Sequence, residues 1–247
     1  MNKSASPESS TPILYSSLAG WWHLLSDPAD YADEAATFRD IFAAHSQPIR
    51  TLVEFGSGGG NNASHLKNHF KMTLVDLAPE MLRTSRELNP ELEHIEGDMR
   101  TVRLGRLFDG VFIHDAIMYL TTLAELRAAF QTASAHCRVG GLALFVPDYV
   151  RETFRAETSL GGHDDATRGL RYLEWTYDPD PTDTTYRSDF VYLLREGADT
   201  IRTELDRHVE GLFPRDEWLR LLRETGFVPR IAGDQYGREL FVAVKSP

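Results

Sequence analysis

Thr51-Leu52-Val53-Glu54-Phe55-Gly56-Ser57-Gly58-Gly59-Gly60-Asn61-Asn62 is the stretch on which the fold turns. It reads as a short apolar strand, 51–55, that breaks into a glycine-rich bend and opens a helix near Asn61. Glycine at 56, 58 and 60 lets the backbone turn sharply and lie close to a ligand with no Cβ in the way. The first N–H groups of the helix then point at whatever is bound and favour anionic or carboxylate oxygens. Such a loop also arises for purely structural reasons, so its context decides.

The context is a second apolar run, Lys71 to Val75, ending in Asp76, 22 positions after Glu54. An acid at the tip of the next strand is where a Rossmann-like sheet holds a ribose diol. The dinucleotide fingerprint requires glycine or alanine at its sixth position, to pack helix on strand beneath a pyrophosphate. Asn61 stands there, which disfavours a dinucleotide.

Glu54-x-Gly56-x-Gly58-x-Gly60, Asp76 and Gly97-Asp98-Met99 together resemble the cofactor-binding series of the class I S-adenosylmethionine-dependent methyltransferases. The resemblance spans roughly 53–146 and is of the small-molecule type, loosely like the amino-sugar N-methyltransferases. It implies S-adenosylmethionine as cofactor. The glycine bend, Gly56, Gly58 and Gly60, would lie against the methionyl part, Asp76 would take both ribose hydroxyls, and Asp98 and Met99 would frame adenine. Glu54 would orient the methionyl end or bond the loop amides, and Leu77 and Met81 would pack near ribose or adenine or simply join the core. Asp30-Tyr31-x-x-Glu34-Ala35 resembles a recurring element of related enzymes, in which an N-terminal helical segment folds over the cofactor. Tyr31 then touches ligand or anchors a helix, as do Tyr15, Trp21 and Trp22.

Alternation of strand-like and helix-like runs over 48–148 predicts a mostly parallel sheet with strands at 51–55, 72–76, 92–96, 109–114 and 142–147 and helices at 61–69, 79–88 and 122–137. The expected fold is α/β: a Rossmann-like seven-stranded mostly parallel sheet, an antiparallel C-terminal hairpin (227–232 and 240–244), an N-terminal helical lid and an inserted antiparallel meander. The implied division is a disordered tail 1–12, a lid 13–47, a core 48–148 and 212–247, and an insertion 149–211 serving as acceptor cap or oligomer contact. The meander runs are 170–177, 186–195 and 201–210. In the last, Ile201, Thr203, Leu205 and Val209 alternate with Arg202, Glu204, Asp206, His208 and Glu210, which predicts apolar residues inward and polar residues outward.

Ligands of open α/β sheets bind outside the carboxyl ends of the strands. Glu54, Asp76, Asp98, His114, Asp115 and Asp148 all fall there. His114 is a candidate general base or cofactor ligand, or a partly buried histidine bonded to backbone. Tyr119, four residues after Asp115, sits where the resembled amino-sugar enzymes carry histidine; it can orient an acceptor amine or hydroxyl, though a phenol is a poor base at pH 7.

The composition narrows the partners. Of 247 residues, 42% are hydrophobic and the net charge is −11, which argues against a nucleic-acid partner. The single cysteine, Cys137, fits a reducing compartment, and no run approaches a membrane span, so a cytoplasmic protein is expected. The nine histidines show no metal-ligand spacing, so no metal is expected. The function these features support is methyl transfer from S-adenosylmethionine to N or O of a small molecule. The alternatives are an NAD(P)-dependent oxidoreductase on the same fold and a non-catalytic cofactor-binding relative. An exposed meander edge either pairs into a homodimer or is covered by the chain itself.

Overall fold

The computed structural model describes residues 12–198 and 200–247. Of the tail expected at 1–12, all but Pro12 lies outside the described residues. The core sheet contains β1 (Thr51–Phe55), β2 (Lys71–Asp76), β3 (Glu93–Glu96), β4 (Phe108–Ile113) and β5 (Cys137–Phe145). A second sheet contains β6 (Glu157–Gly161), β7 (Arg168–Tyr177), β8 (Thr185–Glu196) and β9 (Thr200–Gly211); β10 (Phe227–Gly233) and β11 (Glu239–Lys245) return to the first. The seven-stranded order is β10-β11-β5-β4-β1-β2-β3, parallel except for the closing hairpin, where β11 runs antiparallel to β5 and β10 to β11.

Helices cover both faces, so the central strands read as continuous apolar runs. On one face Val53, Phe55, Val111, Ile113 and Phe145 pack under α5 (Leu123–His136) and α6 (Arg215–Glu224). On the other, Leu52, Leu74, Phe112 and Leu144 pack under α2 (Ala32–Ala43) and α3 (Asn61–Leu66). Local signals set the helix starts. Pro79 occupies the first turn of α4 (Pro79–Leu88), and Thr122 and Glu125 close a capping box at the start of α5.

The N-terminal segment is less regular than a helical lid. It comprises three single turns of 3₁₀ helix, Ile13–Tyr15, Ala19–Trp21 and Pro28–Tyr31, around the four-residue α1 (Trp22–Leu25), before α2 begins. Pro28 removes a backbone donor within this stretch, and the turns are held by packing: Leu14, Leu18, Trp21 and Leu24 join Leu170, Phe190, Tyr192 and Leu194 on the inner face of the second sheet.

That sheet has the order β6-β7-β8-β9, one strand more than the three meander runs of the sequence. Its polarity also reverses the expectation for 201–210. Ile201, Leu205 and Val209 face solvent, with Leu205 73% exposed, whereas His208 and Glu210 are buried. Alternation fixes which residues share a face but not which face turns inward. The choice falls to the neighbours: the inner face meets the acids and hydroxyls of the core sheet's rim, and the polar set follows them in.

Candidate active site

The bend after β1 and the end of β2 are joined directly. The N–H groups of Gly56 and Ser57 donate to Val75 O at 2.7 and 3.1 Å, and Gly58 N–H donates to Asp76 Oδ2 at 2.7 Å. Asp76 Oδ1 also accepts from Ala78 N–H at 2.8 Å, which leaves lone pairs on both oxygens for a further donor. Burial pushes this carboxyl above its ordinary range, and the surrounding N–H groups pull it part of the way back. Gly56 and Gly60 adopt left-handed φ of 72° and 79°. A Cβ at Gly56 would fall 2.3 Å from Ala116 Cβ, and one at Gly60 2.3 Å from Ser85 Oγ. Both glycines are therefore required by the protein's own packing, whatever lies in the bend.

Asn61, the residue that departs from the dinucleotide fingerprint, anchors the N-terminal segment. Its Oδ1 accepts from Trp22 Nε1 at 3.1 Å and its Nδ2 donates to Ser26 O at 2.9 Å. Asn62 Nδ2 donates to Glu34 Oε1 at 2.9 Å. Trp22 thereby lies against Gly59, where a Cβ would meet its ring at 2.1 Å. Tyr31 donates to or accepts from Ser26 Oγ at 2.6 Å and lines a cavity of about 300 Å³ with Asp30, Glu34, His114, Asp115, Tyr236 and Arg238.

Acids gather at this rim. Glu54 is 2% exposed, and its Oε2 has no hydrogen-bond partner among the described residues; burial, then Asp76 and Glu34, push its carboxyl well up. Glu34 goes the other way. Burial would raise it, but His114 and Arg238, whose Nη2 donates to Oε2 at 2.8 Å, hold it below the usual carboxylate range. His114 Nε2 lies 3.1 Å from both Arg238 Nη1 and Asp115 Oδ1. Burial and then Glu34 push the Asp115 carboxyl up against the pull of Arg238, and burial and then the charge of Asp115 push Asp148 up.

A second polar group lies under the inner face of the β6–β9 sheet. Tyr119 OH is 2.7 Å from Tyr15 OH and 2.6 Å from His208 Nδ1. Glu210 accepts from Ser188 Oγ at 2.9 Å; its carboxyl is pushed up to about 7 by burial and then by Asp148.

Thus the fold brings Glu54, Gly56, Gly58, Gly60, Asp76, Met81, Met99 and His114 to one end of the sheet. Met81 lies under Gly58, and Met99 Cε comes within 2.9 Å of where a Gly56 Cβ would stand. Leu77 sits at the rim, 60% exposed. Asp98 is differently engaged: Arg100 Nε lies 3.0 Å from each of its oxygens, so the group expected to meet adenine holds a guanidinium. Sequence reasoning missed Arg238, Glu210 and the pairing of His208 with Tyr119. The only available signal was the polar alternation of β9, which was assigned to solvent.

Residues 52–141 match the family model described as a methyltransferase domain. The chain is 28% identical over 218 residues to a dTDP-3-amino-3,4,6-trideoxy-alpha-D-glucopyranose N,N-dimethyltransferase of Streptomyces venezuelae, covering 87% of this chain and 91% of the relative. It superimposes with a TM-score of 0.76 and 28% identity on the S-adenosylmethionine-bound amino pentose methyltransferase CalS10 of Micromonospora echinaspora, covering 87% of this chain and 92% of that one. The sugar N-methyltransferase KedS8 of Streptoalloteichus shares the fold along the whole chain, with a TM-score of 0.84 at 24% identity and 98% of that chain covered. The bend suits the cofactor these relationships imply, since a buried, unpartnered Glu54 oxygen and an incompletely used Asp76 stand on either side of it. With a methyltransferase domain at 52–141 and these relatives along most of its length, the chain is an S-adenosylmethionine-dependent methyltransferase, similar to the class I enzymes of the amino-sugar type.

Proposed function

We propose that this enzyme methylates the amine nitrogen of a small, sugar-like acceptor. The observation that carries this is the buried Glu210, hydrogen-bonded by Ser188 and within electrostatic reach of Tyr119, together with the half-buried Asp148, both carboxyls being raised by burial and by other acids. Uncompensated acids in a low-dielectric site are costly unless a cation enters, and an acceptor ammonium is such a cation. The names of the relatives, which are amino-sugar methyltransferases, support the same reading.

When bound, the sulfonium supplies an already activated methyl group. Asp76 would hold the ribose, and the glycine bend, Glu54 and the Glu34–Arg238–His114 cluster would face the methionyl end. The N-terminal segment, latched by Asn61 and Asn62, excludes water. Tyr119 and Tyr15 orient the acceptor nitrogen in line with the methyl carbon, a contribution of position more than of acid–base strength. His114 presents Nε2 to the Arg238 guanidinium and is better suited to holding that cluster than to taking an acceptor proton. The test is S-adenosylhomocysteine release with dTDP-3-amino-3,6-dideoxy-α-D-glucopyranose and with its 3-hydroxy counterpart. Turnover of the amine alone is expected; turnover of the hydroxyl sugar alone overturns the reading.

We also infer that two copies pair through the outer face of the second sheet. Cross-strand register aligns Leu160, Leu173, Val191 and Leu205 in one row across all four strands, and Leu160 is 80% exposed. Trp175 and Leu193 extend this row along the strands. Monomers rarely leave such a contiguous apolar face open, and a flat row of this kind is complementary to a second copy of itself about a two-fold axis.

A further inference from the structure

β9 carries Asp206, His208 and Glu210 at period two on its buried face, an arrangement that is costly unless each polar group finds a partner. The partners lie in a line. Asp206 accepts the backbone N–H groups of Ile13 and Leu14 at 3.2 and 3.0 Å, and these contacts with His208 hold its carboxyl low despite burial. It is therefore an acceptor only, and His208 Nε2, 3.1 Å from its Oδ2, must carry a hydrogen. In the neutral ring that leaves a lone pair on Nδ1, into which Tyr119 O–H donates across 2.6 Å. Tyr119 having donated, its 2.7 Å contact with Tyr15 requires Tyr15 to be the donor there. Every hydrogen in the chain Tyr15, Tyr119, His208 and Asp206 thus points the same way.

The histidine is 2% exposed, with its ring against Phe190 at 4.8 Å and Tyr15 at 5.6 Å. The ionisable groups around it are Asp206 and Glu210 on its own strand, Tyr119 from the turn after β4, and Tyr15 from the N-terminal segment. β8 presents Ser188 and Phe190 beside it and Tyr192 toward Asp206. Tyr119 cannot act as a base alone, because burial pushes its phenol well above an already high value. It can pass a proton on.

We infer that His208, its tautomer fixed by Asp206, receives the acceptor's proton by way of the Tyr119 hydroxyl. The inference rests on the amine reading above. In the step, an acceptor N–H transfers its proton to Tyr119 Oη while the Tyr119 proton moves to His208 Nδ1. The N–H electron pair remains on nitrogen as the lone pair, Tyr119 stays neutral, and Asp206 balances the imidazolium. The lone pair then forms the N–C bond as the S–C pair withdraws to sulfur, and His208 later returns its proton through the two tyrosines to water. His208 is in this sense a positioning residue that stores the proton and does not touch the acceptor.

Two measurements on the full chain test this. Long-range ¹H–¹⁵N correlation spectra of histidine-labelled protein, with His208 assigned through His208→Gln, are expected to show neutral His208 protonated at Nε2, with its Nδ1 resonance moved by Tyr119→Phe. An Nδ1-protonated ring overturns the relay. With dTDP-3-amino-3,6-dideoxy-α-D-glucopyranose, His208→Gln and Tyr119→Phe are each expected to lose about 10²-fold in kcat at pH 7, as general-base removal does. That loss should shrink toward pH 10, where the amine arrives already deprotonated, while S-adenosylmethionine affinity stays unchanged. An equal loss at every pH marks a structural role and sinks the inference. If the wild type methylates no amine, the proposed acceptor class has failed, and the tautomer still decides the relay.

Discussion

Glu210 ties the residue scale to function. Its folded-state carboxyl titrates at about 7, against an ordinary glutamate near 4.5. Between those values the native protein binds more protons than the unfolded chain, so Glu210's contribution to stability is full below pH 4.5 and is lost as pH rises through 7. The shift corresponds to about 3 kcal/mol at pH 8. Glu210→Gln, which keeps an acceptor for Ser188, is expected to melt higher than wild type at pH 8 and close to it at pH 4.5, by scanning calorimetry at both. It should raise KM for an amine acceptor roughly tenfold or more, the scale of a lost charged hydrogen bond. A variant with no pH-dependent gain in melting temperature would show that the carboxylate is compensated within the protein. Residues of this kind were not legible in the sequence. Asp76 and Glu54 could be placed because a strand and a glycine bend fix them locally, whereas Glu210 and Arg238 reach the site only through the packing of distant elements.

At the scale of elements, the proposed reading makes the latch between the N-terminal segment and α3 the part that opens for ligands to exchange. Its two side-chain hydrogen bonds from Asn61 are each of the order of 1 kcal/mol. Asn61→Ala is expected to raise amide exchange across 13–31 by about tenfold and to speed S-adenosylmethionine dissociation, while exchange in β1 and β4 stays unchanged. Exchange rising equally throughout would mean global destabilisation. The parallel strands, the α4 and α5 helices and the closing hairpin were legible, since hydrophobic period and caps agree there. The short 3₁₀ turns were not, because they lack a periodic signature and depend on the sheet they pack against. β6 was missed for a similar reason: its five residues end in the first glycine of a Gly161-Gly162 pair and read as loop. The facing of β9 was misjudged because a strand pattern has two equivalent sides until a partner breaks the tie.

For the whole molecule, the proposed reading has one sheet bind the donor and the other, whose outer face is apolar, close over the acceptor. Its outer face should be covered in solution. Sedimentation equilibrium at micromolar concentration is expected to give a dimer, and the double substitution Leu173→Lys with Leu205→Lys a monomer that still binds S-adenosylmethionine; a monomeric wild type would remove the proposed interface. Underlying everything is the junction of the glycine bend with the acid ending β2. Titration calorimetry with S-adenosylmethionine on wild type and on Asp76→Asn, which keeps one acceptor for the bend, tests it most directly. The expected result is one-to-one binding weakened at least tenfold, about 1.4 kcal/mol, in the variant. Equal affinity for the two proteins would contradict the placement of the ribose at Asp76.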